Sequence, residues 1–215
     1  MTPDQVRAFQ AGPPEGPPPA DYLGKPLVVD GLLGPRTRWA LEMATLALWR
    51  QNVVRFLCSL QGMGEEGDNR GPLIDRAMAL CRLDNDVDGP GPSEAGYPWC
   101  AALASLALYR HSPHPFTPDA RVRRLVASLH PVPPERVLPG DLAYVLRPDG
   151  TGHVGTVIAR SGLVWTASVD GNLSNQVLVV RYPVAERQYV SVEPQAAVPA
   201  VPLELPIYRP SLGTR

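Results

Sequence analysis

The hydrophobic period of the chain changes once, and that change constrains the fold more than any other feature. Up to about residue 129 apolar residues recur at helical spacing; beyond Pro139-Gly140-Asp141 they come in short, β-branched runs. The spacing predicts a short helical start, then a helical run from Pro35 through Leu46, Val53, Val54 and Leu57 towards Leu60. Further helices are predicted over Pro72–Leu83, Pro98–Tyr109 and Asp119–Leu129. Strands are predicted at Leu142–Leu146, His153–Arg160, Leu163–Val169, Val177–Tyr182 and Tyr189–Val192. Helices first and an antiparallel meander second reads as α+β, with N-terminal helices packed on an antiparallel sheet of about five strands.

A length of 215 residues allows one good core and a small accessory segment. The net charge of −1 gives no bulk attraction to nucleic acid or an anionic membrane. No run approaches the roughly 20 apolar residues of a membrane span. The first residues, Met-Thr-Pro-Asp-Gln-Val-Arg, lack the apolar stretch of a signal peptide, so synthesis in the cytoplasm is expected. A monomer is favoured. The 26 prolines gather in connectors and the tail. They mark three regions: residues 1–46, a helical segment interrupted by Gly12-Pro13-Pro14-Glu15-Gly16-Pro17-Pro18-Pro19; residues 47–193; and a tail, 194–215.

The chemistry concentrates in three places. Cys100 opens the apolar helix Cys100-Ala101-Ala102-Leu103, His153 opens the strand Val154-Gly155-Thr156-Val157, and Asp170-Gly171-Asn172 closes the next strand. The thiolate is the nucleophilic form of cysteine, and the positive end of a helix favours it. Backbone N–H groups at the same helix start suit the oxyanion of a tetrahedral intermediate. His153 would activate the thiol and then protonate the leaving amine. Asp170 or Asn172 would orient the imidazole, because antiparallel neighbours bring the start of one strand beside the end of the next. Each feature alone has an ordinary explanation: a buried thiol packs, and Asp-Gly-Asn makes turns. Their joint order carries the reading. Cys58 and Cys81 lie on apolar helical faces and act as small hydrophobes, so no disulfide framework is expected. His111, His114 and His130 fall in proline-flanked loops and read as surface residues.

The wording around these residues resembles a known family. Pro98-Trp99-Cys100-Ala101-Ala102, Pro139-Gly140-Asp141-Leu142, Gly152-His153-Val154-Gly155 and Gly171-Asn172 with Asn175-Gln176-Val177 look like a CHAP-type cysteine peptidase of the NlpC/P60-like, papain-like group. Gly67-Asp68-Asn69-Arg70-Gly71-Pro72 resembles the same subgroup, and the similarity spans about residues 50–183. The resemblance implies a papain-like fold and hydrolysis of a peptidoglycan amide bond. Cys100 matches the nucleophile and His153 the base. Relatives carry Glu and Asn two residues apart; here Asp170 and Asn172 hold that spacing. The Gly-Asn pair is the better match, which favours Asn172, with Asp170 the second choice. Trp99 and Tyr97, beside the thiol, are the candidate substrate contacts.

Two further segments bear on function. Val29-Asp30-Gly31-Leu32-Leu33-Gly34-Pro35-Arg36-Thr37-Arg38-Trp39-Ala40-Leu41 resembles half of a helical peptidoglycan-binding module. Its other half would be Val6-Arg7-Ala8-Phe9-Gln10, displaced by the proline linker. Asp84, Asp86 and Asp88 alternate before Gly89 as in the opening of a calcium loop, although Ala95 stands where the closing Glu belongs. Ca²⁺ is thus a candidate ligand, and the chemistry requires no cofactor. The expected activity is that of an N-acetylmuramoyl-L-alanine amidase or a crosslink endopeptidase, as a phage-type endolysin or a delivered lytic effector. The alternatives are a papain-like peptidase or isopeptidase on protein substrates and an inactive wall-binding protein.

Overall fold

A computed structural model describes residues 1–14, 18–21, 25–66, 69–81, 98–161 and 164–194. Its α-helices are α1 (Pro3–Ala11), α2 (Pro35–Thr45), α3 (Leu48–Ser59), α4 (Pro72–Leu80), α5 (Cys100–His111) and α6 (Val122–Ala127). Three of them start on a proline, whose missing N–H has no intrahelical acceptor to lose there. Thr2 and Gln5 close a reciprocal capping box on α1. The single helical run predicted from Pro35 to Leu60 is two helices, because Leu46 turns extended at φ −78°, ψ 158°.

The strands are β1 (His130–Pro131), β2 (Leu142–Leu146), β3 (Gly152–Ser161), β4 (Trp165–Leu173), β5 (Gln176–Pro183) and β6 (Gln188–Ser191). They form one antiparallel sheet in the order β1-β6-β2-β3-β4-β5, so the chain is α+β. The strand beyond the expected five is β1, two residues pairing with β6, too short to leave a periodicity. Asp170-Gly171-Asn172 does not close β4 as a turn. It lies inside the strand, and the reversal falls on Ser174 and Asn175, both left-handed at φ 51° and 62°.

Helix α5 is the centre of the molecule. Every residue from Cys100 to Leu108 is buried, as befits a helix that is apolar all round. It lies between α3 and α4 on one side and β3 and β4 on the other. Its alanines, Ala101, Ala102, Ala104 and Ala107, let the neighbouring backbones come close.

Polar links tie α3 and α2 to the sheet. Arg50 of α3 is buried and donates to Asp141 at 2.8 Å, the Pro139 carbonyl at 3.1 Å, Ser191 at 3.1 Å and Glu193 at 2.9 Å. On α2, Trp39 donates its indole N–H to the Ile158 carbonyl of β3 at 2.9 Å. The two N-terminal halves separated by the proline linker meet through Gln10. Its buried amide donates to Asp30 and Thr37 and accepts from the Asp30 and Gly31 N–H groups.

Candidate active site

Cys100 is the first residue of α5 and is 4% exposed. No side chain caps this helix end. Its first-turn N–H groups have no intrahelical acceptor and carry the positive end of the macrodipole.

His153 follows from the pairing of β3 with β4. Gly155 stands directly opposite Asp170, and His153, two residues along the same face, is Asp170's diagonal neighbour. The imidazole Nε2 lies 2.8 Å from Asp170 Oδ2. That leaves Nδ1 on the side of Cys100, whose thiol is near enough to bear on the same ring. Burial works against the imidazolium. The hydrogen bonds to Asp170 and Cys100, and the charges of both, outweigh it and hold the His153 pKa up at about 9.

Two glycines permit this geometry. A Cβ on Gly155 would sit 1.8 Å from Asp170 Oδ1, so the carboxylate occupies the space a side chain would take. A Cβ on Gly171 would lie 2.7 Å from the Trp99 ring and 2.8 Å from Leu103. Strand β4 therefore runs directly against the start of α5, which is what brings Cys100 to the imidazole. The sequence signal for both was their place in Gly152-His153-Val154-Gly155 and Gly171-Asn172; their steric role was not readable there.

Asp170, not Asn172, is the partner of His153. Asp170 is 1% exposed and also accepts hydrogen bonds from the Ser168 hydroxyl and, at 2.9 Å, from Tyr182. Asn172, with a left-handed backbone at φ 57°, directs its amide to Asn69 Oδ1 at 3.1 Å. Strand alternation alone puts residues 170 and 172 on one face. The register shift between Asp170 and Leu173 breaks that alternation and takes Asn172 elsewhere.

Trp99 also differs from expectation. It is 1% exposed and donates its indole N–H to Glu65 Oε1 at 2.9 Å, so it wedges the helix start in place and offers no substrate surface. Glu65 Oε2 accepts from the Asn69 N–H at 3.1 Å. The backbone around Glu65 pairs with the start of β5 through Gly62 N to Val177 O and Val177 N to Met63 O, both 2.9 Å. Glu65, Ser168 and Tyr182 are site residues that the sequence reading missed, because no local pattern marks them. Tyr97 and the candidate calcium ligands Asp84, Asp86 and Asp88 lie outside the described residues. Among the described residues no cluster of three or more His, Cys, Asp or Glu is placed to hold a metal.

The other thiols have a different setting. Burial pushes Cys58 and Cys81 each up to about 12, with the nearby charges of Asp21 and Asp119 adding to it. His111 and His114 are half-buried rather than surface residues, their rings against Phe56 and Trp49 at 5.5 Å between centroids. Among the described residues no helix is long and apolar enough to cross a membrane. No family model and no curated protein matches the chain.

Proposed function

We propose that the protein is a cysteine-dependent amide hydrolase acting on peptidoglycan. One observation carries the reading: a thiol at an uncapped helix start shares an imidazole with a buried, hydrogen-bonded aspartate. In this reading the Cys100 thiolate attacks the amide carbonyl carbon, and first-turn N–H groups of α5 hold the oxyanion. His153 Nδ1 gives its proton to the departing amine, and the C–N bond breaks to leave a thioester. The same nitrogen then takes a proton from water, whose oxygen attacks the thioester and releases the acid and the thiolate. Asp170 fixes the tautomer and supports the imidazolium throughout.

The choice of peptidoglycan rests on the sequence resemblance. It is supported by Gln10, which closes the two halves of the wall-binding-like segment on each other. The protein would reach the wall by release or delivery, as a phage-type endolysin or an injected effector does. The test is digestion of purified peptidoglycan with mass spectrometry of the fragments. New amine and carboxyl ends are expected with the native protein, and a loss of at least about 10³-fold with Cys100→Ala. Equal cleavage by the two proteins would overturn the reading. Cleavage of protein substrates with the wall left intact would replace peptidoglycan by the peptidase alternative.

A further inference from the structure

We infer that Tyr182 is a positioning residue that sets the proton affinity of His153 through the carboxylate they share. The inference rests on the Cys100–His153 reading above. Tyr182 stands on β5, the strand beyond Asp170, and its hydroxyl donates to Asp170 Oδ2 at 2.9 Å. The same oxygen meets His153 Nε2 at 2.8 Å. Ser168 donates to the other oxygen, Oδ1. Three donors thus share one buried carboxylate, and Tyr182 competes directly with the imidazole for its charge.

The phenol can only donate here. Burial, then the Asp170 charge and hydrogen bond, push its pKa up to about 12 against the opposing pull of Arg187, so it keeps its proton. The Arg187 guanidinium lies over the Tyr182 ring, 3.6 Å from its centre. The groups facing His153 are therefore Cys100 from α5 and Asp170 from β4, with Tyr182 and Arg187 acting behind Asp170 from β5 and the segment after it. The strand on the other side, β2, sets Val145 opposite His153, and α6, which also packs on β3, has its arginines, Arg123 and Arg124, exposed to solvent.

A donor withdrawn from Asp170 Oδ2 leaves more negative charge facing Nε2–H, and the imidazolium is held more tightly. Tyr182→Phe removes that donor while keeping the ring under Arg187. The probe is iodoacetate, which carboxymethylates Cys100 Sγ with loss of iodide. Its carboxylate is attracted by the imidazolium, so the rate falls on the alkaline side as His153 loses its proton. Cys58 and Cys81, at about 12, stay out of the reaction.

Rates are read at the Cys100 peptide by mass spectrometry from pH 5 to about 11. The native protein is expected to give a bell. In Tyr182→Phe the alkaline limb is expected to move up by roughly 0.5 to 1 pH unit. Site-specific replacement of Tyr182 by 3-fluorotyrosine, a stronger donor of nearly the same shape, is expected to move it down. The fluorinated protein decides the matter should the Phe variant not fold. A bell in the native protein whose alkaline limb stays in place, or moves the opposite way, in the variants overturns the role of Tyr182 and leaves the thiol–imidazole pair standing. A native profile without a bell overturns both.

Discussion

Two buried aspartates, Asp141 and Asp170, are each 1% exposed and are solved differently. Asp141 faces Arg50 at 2.8 Å and the Leu138 N–H at 2.8 Å, and Arg50 reaches on to Ser191 and Glu193. Burial still pushes the Asp141 carboxyl above its ordinary range against the pull of Arg50, which shows how costly it is to bury even a paired charge. The partners of Asp170 are a serine, a tyrosine and a histidine. The first carboxylate is matched to a cation that does not titrate; the second to one that can give up its proton, at about pH 9. A permanent ion pair can only hold α3 to the sheet, whereas an imidazole whose charge is conditional can transfer a proton. The difference separates a structural cluster from a candidate catalytic one within a single core.

The contrast is sharpest when one member of each cluster is removed. Asp170→Asn keeps the size and the Ser168 contact but withdraws the charge behind His153. Wall hydrolysis by the folded protein should fall by roughly 10²–10⁴-fold. Retained activity would place Asp170 among the structural residues. Arg50→Met should do the reverse. It leaves Asp141 buried without its cation and should cost about 3–5 kcal/mol in urea unfolding, while the folded fraction keeps its Cys100 reactivity. A loss of thiol reactivity in the folded Arg50 variant would join the two clusters into one.

The third and smallest effect is in the pH dependence of stability. His153 is held at about 9 when folded against 6.5 when exposed. Its contribution, about 3 kcal/mol, is whole below pH 6.5 or so and is lost as pH rises through about 9. Denaturation midpoints of the native protein should fall across that interval, and those of Asp170→Asn should fall much less. Arg50 adds nothing to this slope, because arginine stays charged throughout, and Asp141 is common to the two proteins compared. Parallel slopes in the two proteins would show that the imidazole is not the titrating group.

Much of this molecule is legible in one dimension. The turnover from helical to alternating periodicity determined the α+β class, and the apolar wording after Cys100 determined a buried central helix. The candidate thiol and imidazole were readable because each stands at the start of its own element, Cys100 first in α5 and His153 second in β3. Local patterns could not separate Asp170 from Asn172, since alternation puts both on one face; only the break in register sends Asn172 to Asn69. Trp99, expected as a substrate contact, is a buried wedge for a similar reason, because Gly171 leaves room for its ring against β4.

What the sequence by itself determined, then, is a candidate thiol, a candidate imidazole and the order in which the chain presents them. Tertiary structure alone decided which of them touch. Gly155 leaves the space that the Asp170 carboxylate fills, and Gly171 lets β4 approach α5 closely enough for a thiol from a helix and an imidazole from a strand to meet. Both are contacts between elements distant in sequence, set by the absence of a side chain. Periodicity registers which side chains are present along one element; it carries no trace of the space that a missing one leaves for its neighbour.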